Sequence, residues 1–180
     1  MGFFKVTIDY GERTSPDGGH FKALDMIFNA YENTAKDLRT LWPRYVPHLQ
    51  GILRENFRSK RNFPVGGAWK PLSRSYAAWK AKHFPGKPLL VRTGRLLRSL
   101  ANKTSDTIDI QEKTAFTYGF DADRIPYGVY HQDGLGRNPQ RKFMYLDKSA
   151  VKTLAKETFM WIKSQCFKLN NKYRANMRTT

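Results

Sequence analysis

Two short segments near the middle of the chain constrain the fold most, because together they predict a β-hairpin against which the other elements must pack. In residues 107–111 and 115–120 the apolar side chains recur at every second position, as in a strand with two different faces. Glu112 and Lys113 lie between these segments, where the tip of a hairpin is expected. The alternating residues are Ile108, Ile110, Phe116, Tyr118 and Phe120.

Three longer segments, residues 21–42, 46–58 and 147–172, have the spacing of amphipathic helices, with apolar residues at three- and four-residue steps. Pro43 follows the first of them, and proline interrupts helical hydrogen bonding, so we predict that the first helix ends at Trp42. The inner stripe predicted for the last helix is Val151, Leu154, Thr158, Trp161, Ile162, Gln165 and Leu169.

Two shorter helices are predicted from their capping residues. Ser73 is a favourable N-cap for a helix that runs to His83, and Thr93 is a favourable N-cap for a second helix. The apolar side of this second helix is formed by Leu96, Leu97 and Leu100.

The remaining segments are assigned from turn residues and short alternations. Short strands are expected over residues 3–9 and 141–145. Glycine and proline predict irregular segments, and the end of the chain is expected to fray. These are the turn over residues 11–19, the loop over 62–71, the mobile loop over 133–140 and the tail over 174–180.

Together the elements predict an α+β fold. Helices would pack on one face of a small antiparallel β-sheet, with long helices near both the N-terminal and the C-terminal end. The length of 180 residues suits a single domain, residues 1–180, and a hydrophobic content of 40% is sufficient for a core.

The charge of the chain is large and unevenly distributed, with 32 Lys and Arg against 15 Asp and Glu and a net charge of +17. Residues 41–105 carry fourteen basic side chains and one acidic side chain, Glu55, whereas residues 106–136 carry two basic and six acidic ones. Such a field attracts polyanions, most commonly nucleic acid. It equally suits head-to-tail assembly, in which a basic face meets an acidic one. Basic residues also simply keep a surface solvated.

Cysteine usage and hydropathy indicate the compartment. Cys166 is the single cysteine, so no internal disulfide can form and folding must depend on the core, as in a reducing cytoplasm. No window reaches the roughly 18 apolar residues of a membrane helix, and the first residues lack the pattern of a secretory signal. We therefore expect no membrane association.

Residues that could carry catalysis are few. His131 and Asp133 form the one suggestive pair of a histidine and a carboxylate, and no third metal ligand lies near them in the sequence. Residues 134–137 lack the pattern of a phosphate-binding loop, and no serine occupies a nucleophile elbow. A nuclease role for the His131 and Asp133 pair is the least favoured alternative, and we expect no catalytic activity, no metal and no cofactor.

Four motifs in the second half of the chain resemble, in their order and spacing, segments of a family of phage proteins. They are G-A-W-K-P-L-S at residues 67–73 followed by Tyr76 and Lys80, L-L-V-R-T-G-R-L-L-R-S-L at 89–100, Y-G-V-Y-H-Q-D-G at 127–134, and N-P-Q-R-K-F at 138–143. The family is that of the virion morphogenesis or tail-completion proteins of Mu-like and related tailed phages, including the tail component of HK97-like phages.

The resemblance implies a structural virion protein of the head–tail neck, of the tail-completion or tail-terminator type. Such a protein forms a ring with itself, a hexamer by resemblance, that joins the head connector to the tail tube around the DNA channel. It would assemble in the host cytoplasm, bind neck, connector and tail tube proteins, and contact the passing DNA through phosphates. Residues 63–173 would be the family-like core, residues 1–62 an N-terminal elaboration with a strand and helices, and residues 174–180 the tail.

Two groups of side chains are expected to make these contacts. Packing inside the protein is the alternative for the first group, and a merely solvated surface is the alternative for the second. The alternative function is a sequence-independent DNA-binding accessory protein that acts through its charge. Assembly contacts are expected from Trp69, Tyr127, Tyr130, His131, Arg137, Arg141 and Phe143. The DNA channel or an acidic partner is expected to meet Arg54, Arg58, Lys60 and Arg61.

Overall fold

The structure is a computed structural model that describes residues 3–7, 32, 36–62 and 66–177. Within this part of the chain it contains three strands and five helices, and the predicted α+β class is confirmed. The strands are β1 (Phe3–Thr7), β2 (Thr107–Gln111) and β3 (Ala115–Phe120). The helices are α1 (Trp42–Ser59), α2 (Arg74–His83), α3 (Arg95–Ala101), α4 (Pro126–Asp133) and α5 (Lys148–Met177).

The predicted hairpin forms the centre of an antiparallel sheet with the strand order β1-β3-β2. Strand β2 pairs with β3 in a register that places Asp109 opposite Tyr118. Strand β1 pairs with the other edge of β3 and confirms the strand predicted over residues 3–9 at Phe3–Thr7, while residues 8 and 9 lie outside the described residues. The predicted turn over residues 11–19 and most of the predicted helix over residues 21–42 lie outside the described residues.

The aromatic residues of β3 face the helices and form the core of the protein. Phe116, Tyr118 and Phe120 have no exposed surface. Trp42 of α1 stacks on Phe116 with a distance of 5.6 Å between ring centroids, and its indole nitrogen donates to the carbonyl of Glu112 at 2.7 Å. Helix α1 therefore packs on the face of the sheet and is hydrogen-bonded to the tip of the hairpin. The alternating isoleucines of β2 lie on the opposite face, because their partners in the register are Gly119 and Thr117.

The prediction that Pro43 ends a helix is wrong, because helix α1 begins at Trp42 and Pro43 lies in its first turn. Proline lacks a backbone N–H, and the first turn of a helix leaves that group without a helical partner, so the same residue is compatible with a start. The helix predicted over residues 46–58 is thus longer at its N-terminus and contains Pro47 in its interior.

The predicted long C-terminal helix is confirmed as α5, but its inner stripe is narrower than expected. Leu154 and Trp161 are buried, whereas Val151 and Ile162 are 53% and 38% exposed. Trp161 donates to the hydroxyl of Thr40 at 3.2 Å. The tail predicted to fray from residue 174 is helical to Met177. None of the described helices is long and apolar enough to cross a membrane.

Residues 141–145 do not form the predicted strand. Among the described residues, side chains, most of them amides, and not a neighbouring strand, hydrogen-bond most of the backbone groups of this segment. Asn56 donates to the carbonyls of Phe143 and Tyr145 at 2.9 and 3.0 Å. Gln132 accepts from the backbone nitrogens of Phe143 and Met144 at 3.1 and 3.0 Å. The segment is therefore an extended, buried chain that lies between α1 and α4.

Helix α4 packs so closely on the sheet that only glycine fits at residue 128. A Cβ atom at Gly128 would lie 2.5 Å from the ring of Phe120 and 3.2 Å from the side chain of Leu96. We expect Gly128→Ala to lower the free energy of unfolding by about 1–3 kcal/mol, the usual cost of overpacking. The measurement is urea denaturation of the variant and the native protein.

Gly51 of helix α1 provides the matched control, since a Cβ atom there meets nothing within 4 Å. We expect Gly51→Ala to raise the free energy of unfolding by about 0.5–1 kcal/mol, because alanine favours the helix over glycine. Equal stability of the Gly128→Ala variant and the native protein would contradict the packing described for α4.

Candidate functional site: a basic cleft

A cleft of about 240 Å³ lies where helix α2, the loop before α3, helix α4 and the buried segment from Arg141 meet. Its lining combines leucines and tyrosines with several cations. Arg92, Thr93, Gly94 and Arg95 come from the turn into α3, and Tyr127 and His131 come from α4. The lining residues are Leu72, Tyr76, Lys80, Leu90, Arg92, Thr93, Gly94, Arg95, Leu96, Tyr127, His131 and Arg141.

Lys80 is the only residue of α2 whose surface is buried, with 6% exposed. Its ammonium group donates to the carbonyl of Pro88 at 2.6 Å. Within the described part of the chain, no carboxylate lies within 4 Å of it. Burial lowers the pKa of Lys80, and the positive charge of Arg141 lowers it further. The cation is thus held in the protein by a dipole and not by an opposite charge.

Arg141 is buried more deeply, with 3% of its surface exposed. Its guanidinium group donates to the carbonyls of Lys70 and Pro71 at 3.0 and 3.1 Å. Burial lowers the pKa of Arg141, and none of the described residues pairs a carboxylate with it. Lys80 and Arg141 are therefore two buried cations in one cleft, and no carboxylate of the described residues pairs with either. Burying unpaired charges costs free energy, and a bound anion would reduce that cost.

The rim of the cleft is formed by the turn into helix α3. Gly94, and not the predicted Thr93, is the N-cap, and it has a left-handed backbone with φ of 78°. Glycine adopts this conformation without steric strain, which is why the cap falls one residue later than the side-chain preference predicts. Arg95 is paired with Asp106 at 2.7 Å and keeps the pKa of this carboxyl below its usual range. Arg92 is exposed and lies over the ring of Phe84, 5.9 Å from its centroid.

His131 contributes an unsatisfied polar atom to the wall of the cleft. Its Nδ1 is buried and has no hydrogen-bond partner among the described residues. Burial lowers the pKa of His131, and Arg141 lowers it further. Asp133 lies two positions along the same helix, and residues at this spacing do not face each other. No cluster of three histidine, cysteine or acidic side chains suited to a metal occurs in the described ranges.

Exposed aromatic rings extend from the cleft along helix α2. Tyr76 and Trp79 are each 40% exposed and stack with 5.5 Å between their ring centroids. Trp79 also stacks on His83 at 4.7 Å. Large rings that remain partly exposed and ordered against one another are typical of contact surfaces.

The seven predicted assembly residues differ in their exposure to solvent, and some are buried while others lie at the surface. Trp69, Arg141 and Phe143 are buried, with 5%, 3% and no exposed surface respectively. Trp69 and Phe143 contribute to the interior, whereas Arg141 is buried but lines the cleft. Tyr127 and Tyr130 are 40% and 47% exposed. Arg137 is also exposed, and His131 is half-buried.

The four predicted DNA or partner contacts lie at the C-terminal end of α1, outside the cleft. Arg54 donates to the carbonyl of Ala101 at 2.6 Å, and Arg58 is paired with Glu55 at 2.7 Å. Lys60 and Arg61 are exposed. Two of the four side chains are therefore already engaged within the protein.

Sequence reasoning missed the two rim arginines and the burial of Lys80. One signal was present: residues 56–105 contain no aspartate or glutamate, so a cation buried within that block finds no acidic partner in its own segment. The pairing of Arg95 with Asp106 depends on the tertiary structure and has no local signature.

Searches of protein-family models, of curated proteins and of solved structures found no match for this chain. Function must therefore be inferred from the residues and geometry of the chain itself.

The unsatisfied histidine predicts a pH dependence of stability. Burial holds the pKa of His131 in the folded protein below its ordinary value of 6.5. At pH values between the folded pKa and the unfolded pKa, the unfolded chain therefore binds more protons than the folded protein does. The stabilisation that depends on neutral His131 is complete above the unfolded pKa and is lost as the pH falls toward the folded pKa. We expect the native protein to lose more free energy of unfolding between about pH 7.5 and about pH 5 than the His131→Gln variant does.

The control is His83→Gln, which removes an exposed histidine that stacks on Trp79. We expect this variant to retain the pH dependence of the native protein in denaturant titrations. If both variants lose the same amount of stability as the native protein, His131 is not the group that titrates.

Proposed function

We propose that this protein is a structural subunit of the head–tail neck of a tailed phage, of the tail-completion or tail-terminator type. In this role it forms a ring, with six copies as the expected number, that joins the head connector to the tail tube around the DNA channel. It is assembled in the host cytoplasm and becomes part of the virion. Its function is carried by surfaces, and no catalytic step is required of it.

The observation that carries the proposal is the convergence of the four family-like motifs. Trp69 of the first motif donates to the carbonyl of Lys142 in the fourth at 3.1 Å. Arg141 of the fourth donates back to Lys70 and Pro71 of the first. Gln132 of the third donates to the carbonyl of Met144, just beyond the fourth, at 3.0 Å.

The second motif joins the same unit at the cleft. Leu90, Gly94 and Leu96 line it together with residues of the other three motifs. Segments separated by up to 73 residues in the chain thus form one structural unit. This arrangement supports the resemblance, since residues that define a family by their spacing are expected to depend on one another in the fold.

Exposed apolar side chains support an assembly role. Tyr130 of α4 is 47% exposed, and Phe159 and Phe167 of α5 are 64% and 66% exposed. Large apolar side chains on a surface are typical of residues that contact another protein. Their positions on α4 and on the long helix α5 provide surfaces for neighbouring subunits and for connector or tail tube proteins.

The proposal predicts association. We expect the purified protein to form a ring, alone or on addition of the head connector or tail tube protein of the same phage. Tyr130→Ala is expected to weaken this association by about tenfold or more, since aromatic side chains dominate interface energies, while the thermal unfolding transition stays unchanged. Analytical ultracentrifugation and native mass spectrometry provide the measurement. A protein that stays monomeric and binds no head or tail component would exclude this function.

The alternative of a sequence-independent DNA-binding protein is favoured by one observation, the exposed basic end of α1 within a block that has no acidic residue from 56 to 105. It predicts an affinity for DNA that falls steeply with salt and is abolished when Arg54, Arg58, Lys60 and Arg61 are changed to glutamate. Under the neck proposal, with these four side chains facing solvent and not an acidic partner, the same fourfold variant retains association with head and tail components. Fluorescence anisotropy with a labelled duplex, measured beside the association assay, separates the two functions.

A further inference from the structure

Lys80 and Arg141 carry positive charge at the floor of the basic cleft, and no carboxylate of the described residues neutralises it. The ammonium group of Lys80 has three donors and the guanidinium group of Arg141 has five. The carbonyls of Lys70, Pro71 and Pro88 accept one bond each. These carbonyls offset the loss of hydration but supply no negative charge, and donors remain for a further acceptor.

The walls of the cleft are suited to a particular kind of anion. Leu72, Leu90 and Leu96 form its apolar lining, and Tyr76 and Tyr127 add aromatic rings with polar tips. A ligand that matches this lining has an aliphatic stem and a charged end, because the stem can pack on the leucines while the charge reaches the floor. A planar carboxylate also matches the fork of donors that a guanidinium group presents.

We propose that this cleft binds a carboxylate side chain on an acidic segment of a partner protein, with Lys80 and Arg141 as its charged donors. Arg92 at the exposed rim attracts the segment, and the aromatic rings of α2 contact the residues on either side of the carboxylate. Binding of this carboxylate depends on the cleft alone and not on the neck function, since the cleft would bind it equally in a protein that never enters a virion.

The depth of the cations favours a protein carboxylate over a nucleic-acid phosphate. Lys80 and Arg141 expose 6% and 3% of their surfaces. Backbone phosphates form a regular array on a wide surface and are contacted by side chains that project from a protein. A phosphate flanked by two sugars does not fit into a recess of about 240 Å³ as readily as a single side chain with a flexible stem.

The test is a titration of the purified full chain at fixed ionic strength. One probe is a blocked hexapeptide of alternating glutamate and alanine, and the other is the same peptide with glutamine in place of glutamate. Binding is followed by calorimetry and by tryptophan fluorescence, since Trp79 stacks on the cleft residue Tyr76. We expect the glutamate peptide to bind and the glutamine peptide to show no binding.

Lys80→Met and Lys82→Met separate the cleft from the overall charge. Both variants remove one positive charge from the same helix, but Lys82 is exposed and does not line the cleft. We expect Lys80→Met to weaken binding of the glutamate peptide by at least about tenfold, because hydrogen bonds to charged groups are the stronger ones. Lys82→Met should bind as the native protein does. An equal loss in both variants, or no loss in either, overturns the proposal.

A second pair of variants covers the case in which Lys80→Met does not fold, as judged by circular dichroism. Arg92→Gln changes an exposed cation at the rim of the cleft, and Arg74→Gln changes an exposed cation at the start of helix α2 that does not line the cleft. We expect a several-fold loss of peptide affinity in the first and none in the second. Equal affinities in this pair also contradict the assignment.

Two competitors decide the source of the anion. Inorganic phosphate and a short oligothymidylate are added to the complex with the glutamate peptide. We expect neither to displace the peptide at matched ionic strength. Tighter binding of the oligothymidylate would identify a nucleic-acid site, and binding of phosphate without binding of the peptide would identify a small-anion site. Each of these results overturns the carboxylate proposal and leaves the association experiments on the neck function unaffected.

Discussion

The buried segment from residue 141 to 145 pairs with no strand in the described part of the chain, and the core depends on the hydrogen bonds that its backbone groups find elsewhere. Asn56 of α1 and Gln132 of α4 supply amide groups for this purpose. Each buried backbone group left without a partner would cost about 1–3 kcal/mol. These two side chains, together with Asn62, Trp69 and the carbonyl of His131, take the place of a hydrogen-bonded strand. Phe143 is thereby placed against Phe57 and Phe120, with ring centroids 5.1 and 6.0 Å away, and joins α1 to the sheet.

The same segment also builds the cleft. Arg141 lies two residues before the aromatic core residue Phe143, and its guanidinium group donates to the carbonyls of Lys70 and Pro71. Its backbone nitrogen donates to the carbonyl of His131 at 2.7 Å, which fixes the end of α4 beside it. A cation is therefore buried in the cleft as a direct consequence of how the core is closed. Packing and binding chemistry share one piece of chain, so a change in either affects the other.

Local patterns predicted the parts of the fold that depend on local interactions. Alternation was sufficient for the hairpin, and the helical stripe was sufficient for α5, because burial of one face is visible in the spacing of apolar residues. Pro43 was assigned to the wrong end of a helix, since a missing N–H is compatible with both ends. Trp69 was predicted to make an assembly contact, with packing inside the protein as the alternative, and it is buried. A tryptophan suits an interface and a core equally well, and only its partner, here the carbonyl of Lys142, shows how it is used within this chain. The burial of the cleft cations was not predictable for the same reason, since it depends on contacts between distant segments.

A net charge of +17 does not show which basic side chain is suited to bind an anion. Burial distinguishes Lys80 from the exposed basic side chains, because a buried charge costs free energy. Nine of the ten residues of α2 are exposed, and the buried one, Lys80, is charged. Helix α2 is therefore anchored at this position by a cation on the carbonyl of Pro88, and not by an apolar stripe. An anion that binds Lys80 strengthens the anchor, because a ligand that binds only the folded arrangement stabilises that arrangement. Binding in the cleft and the position of the exposed rings of Tyr76 and Trp79 are thus coupled, and an acidic partner would meet an aromatic surface that its own carboxylate helps to hold in place.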